Sequence, residues 1–255
     1  MGWIVATLRL NWANLTANKG VFATMALLMA LQNLLYFLLW VAFFARISSL
    51  KGWGLQEVTF LYAAGAIGFG IFFSVLGGCD QLSRTIQTGQ LDLCLTRPRS
   101  VLLSALLLRM RADSLGDIVG GFVMLALFGP SLTQLPLILA LSVSMGMIYV
   151  AARLTIHSLA FWGLDDESPE KGFIAFLIAA TNPQNGFSPW AKVVLLSVIP
   201  AGYIALLPVE ILHHFSWSFL AWQFSASTTL LALAVLVFHL GLRRYESGNT
   251  SIGLR

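Results

Sequence analysis

Six long apolar stretches divide this chain, at residues 21–44, 58–78, 101–128, 137–162, 190–208 and 215–242, and the longest polar insert between them runs from 79 to 100. A helix needs roughly 20 consecutive apolar residues to cross a hydrocarbon core of about 30 Å. Six such helices and their connections take up nearly all of the 255 residues. The expected fold is all-α, a polytopic membrane protein of six transmembrane helices forming one domain over 1–255. No stretch within these residues is left for a nucleotide-hydrolysing domain, and there is no GxxxxGKS or GxxxxGKT loop to cradle phosphates. ATP-driven work by such a chain needs a second polypeptide.

The composition agrees. Only 10% of residues are charged, against about 25% in soluble domains, and 58% are hydrophobic. Mean hydropathy is +0.81 over the whole chain, so the apolar character is not confined to one anchor. A net charge of +4 would point a soluble protein toward nucleic acid, but no basic patch here interleaves with exposed aromatics, and no nucleic-acid partner is expected. Lys and Arg instead gather in loops. With the N-terminus inside, all but Arg46 and Lys51 of the 15 fall on one side, the asymmetry that marks cytoplasmic loops. Both termini are therefore expected in the cytoplasm, with a polar tail over 243–255. Residues 1–20 lack the compact apolar core and small-residue cleavage site of a secretory signal. Trp3, Ile4, Leu8, Leu10, Trp12 and Leu15 instead predict an interfacial helix over 2–18.

Within the spans, small residues mark close packing. Gly65, Gly68 and Gly70 place the second span inside a bundle, its small face lining a dimer interface or the pathway, and Gly116 and Gly120 form a GxxxG face on the third. That third stretch also carries Arg109, Arg111, Asp113 and Asp117. Ionisable groups at mid-bilayer depth are costly. Either the helix begins in the aqueous layer, or the charges pair in a polar cavity; Arg109, Asp113 and Asp117 recur every four residues and share a face. Residues 171–212 admit two paths. One is a half-membrane helix followed by a proline-kinked fifth span at about 190–208; the other makes 171–182 the outward crossing, with 189–211 re-entrant at the far face.

Catalytic and metal signatures are weak. Cys79 and Cys94 are too few for a disulfide framework, and His157, His213, His214 and His239 fit no HExxH or CxxC spacing. No metal site or resident cofactor is expected. Glu210 with His213 would make an acid–base pair, but both read as boundary residues in contact with water.

The insert CDQLSRTIQTGQLDLCLTRPRS is the informative loop. Leu82, Thr85 and Ile86 predict a short amphipathic helix over 80–88, stopped by Gly89, with Pro98 marking the next boundary. A stub helix of this kind has the geometry to dock in a groove of a peripheral protein and pass rigid-body motion to its spans.

Four segments carry a resemblance: GQLDLCLTRP at 89–98, AFW at 160–162, the VIPA…ALLPVEIL pattern at 198–212, and GLRRYESGN at 241–249. In their order and spacing they resemble the permease subunits of ABC-2-type ABC transporters, in a six-span bacterial branch. Family members often carry tyrosine before the proline at 183, where this chain has Asn182. The resemblance implies an interface helix at the N-terminus and a cytosolic coupling segment over 79–100. It also implies a dimer, with a second permease copy or a related permease, bound to two ABC ATPase subunits that hold ATP and Mg. The implied ATPase contacts are Arg84, Thr85, Gln87, Gly89, Asp92, Arg97 and Pro98, with Gly65, Gly68, Gly116 and Gly120 serving packing or pathway. The expected role is export of a hydrophobic or amphipathic substrate across the bacterial inner membrane, among membrane lipids, by a chain that is not itself an enzyme. The competing readings are an ATP-independent scaffold or assembly factor and an intramembrane lipid-modifying enzyme.

Overall fold

The computed structural model describes residues 2–50, 52–96, 98–165, 167–182, 187–197 and 199–246. Among them the chain is helical, with no strand and one isolated bridge between Leu50 and Trp53. The α-helices are α1 (Gly2–Thr16), α2 (Lys19–Phe44), α3 (Leu55–Val75), α4 (Leu82–Gln87), α5 (Asp92–Leu95), α6 (Val101–Leu106), α7 (Asp113–Phe128), α8 (Leu135–Ser158), α9 (Glu167–Thr181), α10 (Pro189–Ser197), α11 (Gly202–His213) and α12 (Trp217–Leu242). Short 3-10 turns at Gly77–Gln81 and Leu159–Trp162 extend α3 and α8.

Several boundaries follow from local chemistry. Asn18 accepts the Val21 amide at 3.1 Å and caps α2. Glu57 reaches back to the Gly54 amide at 2.6 Å at the start of α3. Ser100 accepts from the Leu103 amide at 3.3 Å and opens α6.

Among the described residues, α2, α3, α8 with its 3-10 extension, and α12 are long and apolar enough to cross a membrane; α10 with α11 would make a fifth, but that pair is bent by 108°. The third apolar stretch is split. Its helix α7 has 16 residues, about 24 Å at 1.5 Å per residue, and Arg109 and Arg111 precede it in the linker after α6. Each of the two readings holds in part: Arg109, Arg111 and Asp113 lie before α7 or at its first residue, and Arg111 pairs there with Asp113 and Asp80 beside a cavity. Asp117 is the exception: it sits buried one turn inside α7, taking a 2.7 Å bond from the Asn33 amide of α2.

α3 lies at the centre, with α7 and α2 on one side and α8, then α12, on the other. In a bilayer, helices associate by close packing and hydrogen bonds rather than by hydrophobic transfer. The glycines show this directly. A Cβ on Gly68 would collide with the Ser142 carbonyl of α8, one on Gly70 with the Ser114 carbonyl of α7, and one on Gly116 with the Ala26 carbonyl of α2. Gly65 and Gly120 are less tight, their nearest atoms at 3.1 and 3.3 Å. The small face of α3 is therefore spent on α7 and α8 of the same chain, which removes it from the expected dimer interface. An aromatic seam completes the centre: Phe69 stacks on Phe73 at 4.2 Å, and Phe69, Tyr149, Phe176 and Phe173 continue it across α3, α8 and α9.

The bundle has two distinct ends. One gathers the ends of α3, α8 and α12, the starts of α2, α7 and α9, and all of α1, α4, α5 and α6; it holds most of the charge. At the opposite end His213 lies 2.8 Å from Glu57, and Gln134 donates to the Leu212 carbonyl at 3.4 Å. These contacts trace residues 171–212. α9 starts at the charged end, where Glu170 meets Arg153, and finishes with Thr181 hydrogen-bonded to Tyr62, in the second turn of α3. Its buried Phe173, Phe176 and Ala180 form one stripe. α11 returns to the opposite end from the level of Gln223, whose amide donates to the Tyr203 carbonyl at 2.7 Å. α9 thus runs from the charged end to the opposite end of the bundle, and α10–α11 is a bent pair. The expected proline-kinked span at 190–208 corresponds to two helices that meet at 108°, a bend that fits a broken span or a re-entrant loop. Lys192 moves with this element to the end that carries Arg46.

Candidate functional site

The polar insert folds back onto the bundle at its charged end. α3 stops at Leu76, and the 3-10 turn Gly77–Gln81 brings Asp80 beneath the helices. This turn packs too closely for side chains: a Cβ on Gly78 would collide with the Ala105 carbonyl, and Cys79 is fully buried. Burial pushes the Cys79 thiol up to about 12, with the neighbouring Asp80 carboxylate acting in the same direction. α4 follows and ends as its sequence predicts, at Gly89, whose φ of +74° suits glycine. The Leu91 amide then returns to the Thr85 carbonyl at 3.1 Å, so α4 and α5 form one compact knuckle.

Its inner face is fastened to three other parts of the chain. Ser83 Oγ lies 3.1 Å from His157 Nδ1 of α8, and Gln87 donates to the Leu164 carbonyl at 2.7 Å. Asp92 lies against the Tyr245 hydroxyl, just past the end of α12; burial, then this carboxylate, pushes that phenol up to about 12. Tyr245 also meets Phe161 edge-on at 6.1 Å, Phe161 fills the space beside Gly241, and Arg244 lies over Trp162 at 5.9 Å. Three of the four sequence segments singled out above, at 89–98, 160–162 and 241–249, therefore converge on one clasp.

Behind the knuckle runs an alternating chain of charges. Asp113 and Asp80 both hold Arg111. Asp80 also takes Arg153 Nε at 2.8 Å, and Arg153 donates to Glu170 at 2.5 Å while stacking over Phe173 at 4.3 Å. Burial works against the Arg111 charge, yet its hydrogen bond to Asp113 and the Asp80 carboxylate hold the guanidinium above the ordinary arginine value. Five segments are tied by these pairs: α7, the 107–112 linker, the 3-10 turn, α8 and α9.

The expected contact residues divide. Arg84 and Pro98 are exposed, and Gly89 is half-exposed at the turn. Thr85 is buried, and Gln87 and Asp92 are half-buried and engaged with Leu164 and Tyr245, so these three side chains shape the knuckle from inside. Arg97 lies outside the described residues. The outer surface belongs also to Gln90, Leu93 and Leu95, which sequence reasoning did not single out; Leu93 is 63% exposed although apolar. Asp80, Arg153, His157 and Glu170 were likewise missed as a group. The available signal was Arg153 and His157, four apart at the end of an apolar stretch, where ionisable residues require partners.

Ser83, His157 and Glu170 form a serine–histidine–carboxylate string, with His157 Nε2 at 3.8 Å from Glu170. A nucleophile must meet its substrate, and Ser83 and His157 are each only 1% exposed. The string fastens α4 to α8. Glu210 and His213, the other acid–base candidates, are exposed at the opposite end, and His213 pairs with Glu57 instead. Among the described residues no group of three metal-ligating side chains comes together.

At the charged end α1 lies across the bundle, with Trp3 under the Arg99 guanidinium at 5.0 Å and Asn11 donating to the Leu107 carbonyl at 2.7 Å. No curated protein and no solved structure matches this chain. The model of the family described as ABC-2 family transporter protein matches residues 30–249, which include every long apolar helix but the first turns of α2, and the chain belongs to that family as a transmembrane permease.

Proposed function

We propose that this permease is the transmembrane subunit of an ATP-driven exporter in a bacterial inner membrane. It has six crossings, with α7 and α9 as the two short ones, both termini in the cytoplasm, and the charged end facing inward. Two copies, or this chain and a related permease, bind two ABC ATPase subunits, which carry ATP and Mg. The cargo is hydrophobic or amphipathic.

The observation that carries this reading is the knuckle of α4 and α5. Its outer face presents Arg84, Gln90, Leu93 and Pro98, a mix of charge and exposed apolar surface suited to a protein groove. Its inner face is fixed through Ser83, Gln87 and Asp80 to α8, the 159–164 segment and the ionic chain. A load on the outer face thus reaches α7, α8 and α9 with little slack. Such a linkage lets a nucleotide-driven partner bias one helix arrangement over another.

The test is co-purification of the ATPase subunit with Arg84→Glu and Leu93→Asp variants. Both residues are exposed, so the permease should stay folded while the partner is lost from the complex. Retention of the full complement of ATPase by both variants overturns the docking role.

A further inference from the structure

A cavity of about 500 Å³ opens at the charged end, between α1–α2 and the ionic chain. That volume lies within the range of ligand pockets. Its walls are of two kinds. Leu15 of α1 and Met25 of α2 form an apolar side. The opposite side carries Asp80 between Arg111 and Arg153, with Asp113 and Glu170 at the two ends of this chain and Arg109 at the rim. The five paired groups sum to one negative charge, and Arg109 brings the cavity to zero.

The rim decides the ligand class. Arg109 is exposed, and among the described residues no side-chain partner takes its charge. Glu170, with its side chain 47% exposed, spends one oxygen on Arg153, and Asp113, 33% exposed, is held by Arg111. A ligand entering here meets one open cation and two accessible carboxylates. A purely anionic head is repelled by Glu170 and Asp113, and a purely cationic head by Arg109. A head bearing both charges is matched at both points.

The apolar wall continues outward along α2. Met25, Leu28, Leu35 and Leu39 fall on one stripe of that helix, each at least half exposed, with the exposed Gln32 the one polar residue among them. An acyl chain lying along this stripe would place its head in the cavity, at the depth where α1 rests and α2 begins. Basic pockets between helices near the cytoplasmic surface hold anionic lipid head groups; the carboxylates here change that preference toward a head that also carries a cation.

We propose that this cavity binds the head of a zwitterionic amphiphile of the phosphoethanolamine class, its phosphate on Arg109, its ammonium between Glu170 and Asp113, and its tail along α2. That the bound amphiphile is the cargo rests on the transporter reading above; the binding itself does not.

Native mass spectrometry of the detergent-purified full chain tests it, with phosphatidylethanolamine, phosphatidylglycerol and soluble phosphoethanolamine as probes. Phosphatidylethanolamine should be retained in preference to phosphatidylglycerol. Arg109→Gln should weaken that retention about tenfold, the size of one lost charge-assisted hydrogen bond, whereas Arg46→Gln at the opposite end should leave it unchanged. Leu15→Gln should weaken the lipid but not soluble phosphoethanolamine, which separates an amphiphile site from a simple phosphate site. Equal retention of phosphatidylglycerol, or retention untouched by Arg109→Gln, overturns the proposal, as does soluble phosphoethanolamine binding as tightly as the lipid. No ATPase takes part in this measurement, so failure of the docking test leaves it intact, and its own failure leaves docking intact.

Discussion

Removing the Arg153 guanidinium should be among the most damaging single changes to this fold that leave every apolar contact in place. The side chain is 6% exposed, touches Asp80 at 2.8 Å and Glu170 at 2.5 Å, and covers Phe173. Arg153→Met keeps the stem and its packing but strips both carboxylates of a partner. Breaking one side of a buried pair costs about 3–5 kcal/mol. Two features set the lower end of that range: Asp80 keeps Arg111, and Glu170 is exposed enough to hydrate. About 3 kcal/mol corresponds to a fall of roughly 6–12 °C in the unfolding midpoint of a chain this size. Asp80→Asn should cost at least as much, because it weakens Arg111 and Arg153 together. The two changes act on one network, so the double variant should fall short of the sum by more than about 1 kcal/mol. Tryptophan fluorescence during thermal unfolding in detergent reads all three. A midpoint within about 1 °C of the parent for Arg153→Met, or strict additivity in the double variant, refutes the linked ionic chain.

Close helix packing gives a second expectation: Gly68→Val, which must push α3 from the Ser142 carbonyl, should abolish a stable detergent-purified species, whereas Gly120→Ala, whose nearest neighbour is a side-chain carbon at 3.3 Å, should cost under about 1 kcal/mol; equal damage from both would show that close approach is not what holds α3. Thiol labelling gives a third. The buried Cys79 thiol, pushed up to about 12, should ignore maleimide at neutral pH until the protein unfolds, while a cysteine placed at the exposed Gln90 should react at once and from the cytoplasmic side only; labelling of position 90 from outside reverses the orientation. The same thiol fixes a pH dependence. Its folded value lies above the ordinary 9.0, so it is neutral in both states below that pH, and stability should decline only as pH rises past it, where the unfolded chain alone ionises.

The apolar runs made the helical class and the long spans legible, because a 20-residue hydrophobic segment has few other fates. The stub helix before Gly89 was legible for a local reason: Leu82, Thr85 and Ile86 share a face, and glycine stops a helix cheaply. What the chain order concealed was pairing across distance. Asp80 and Arg153 lie far apart in sequence, as do Asp92 and Tyr245, and no local rule joins them. The clasp residues were visible as recurring segments, but nothing in them announced that they meet. Residues 171–212 were ambiguous because half-length apolar pieces broken by prolines fit a kinked span and a re-entrant hairpin equally well. The contacts at the ends of α9, at Glu170 and Thr181, show that this half-length piece runs between the two ends of the bundle. The small face of α3, expected at a dimer interface or the pathway, meets α7 and α8 of its own chain. Glycine spacing reports that a backbone comes close and says nothing about which backbone.

The distribution of fastenings bears on how such a chain moves. α3, α7 and α8 meet backbone to backbone through Gly68, Gly70, Gly121 and Gly146, and surfaces this close have no room to slide by less than a whole ridge. The elements around that block are held by buried side chains, Phe173, Phe176 and Ala180 on α9 and Ile204, Ala205 and Val209 on α11, together with a few polar contacts. α11 depends on Gln223, Gln134 and the exposed His213–Glu57 pair, and α9 on Arg153 and Thr181 at its two ends. Polar contacts between side chains can break and re-form at a cost of about 1 kcal/mol each, whereas separating glycine-packed helices forfeits a continuous surface. On the transport reading proposed above, rearrangement between two packings would fall to α9 and the bent α10–α11, with the α3–α7–α8 block carrying force as a lever. Asp80, in the 3-10 turn between α3 and the knuckle, ties one end of this block to Arg111 and Arg153, and Glu57, in the first turn of α3, meets His213 of α11 at the other. On the same reading, α3 and its 3-10 extension join the knuckle to the α11 end of the bundle.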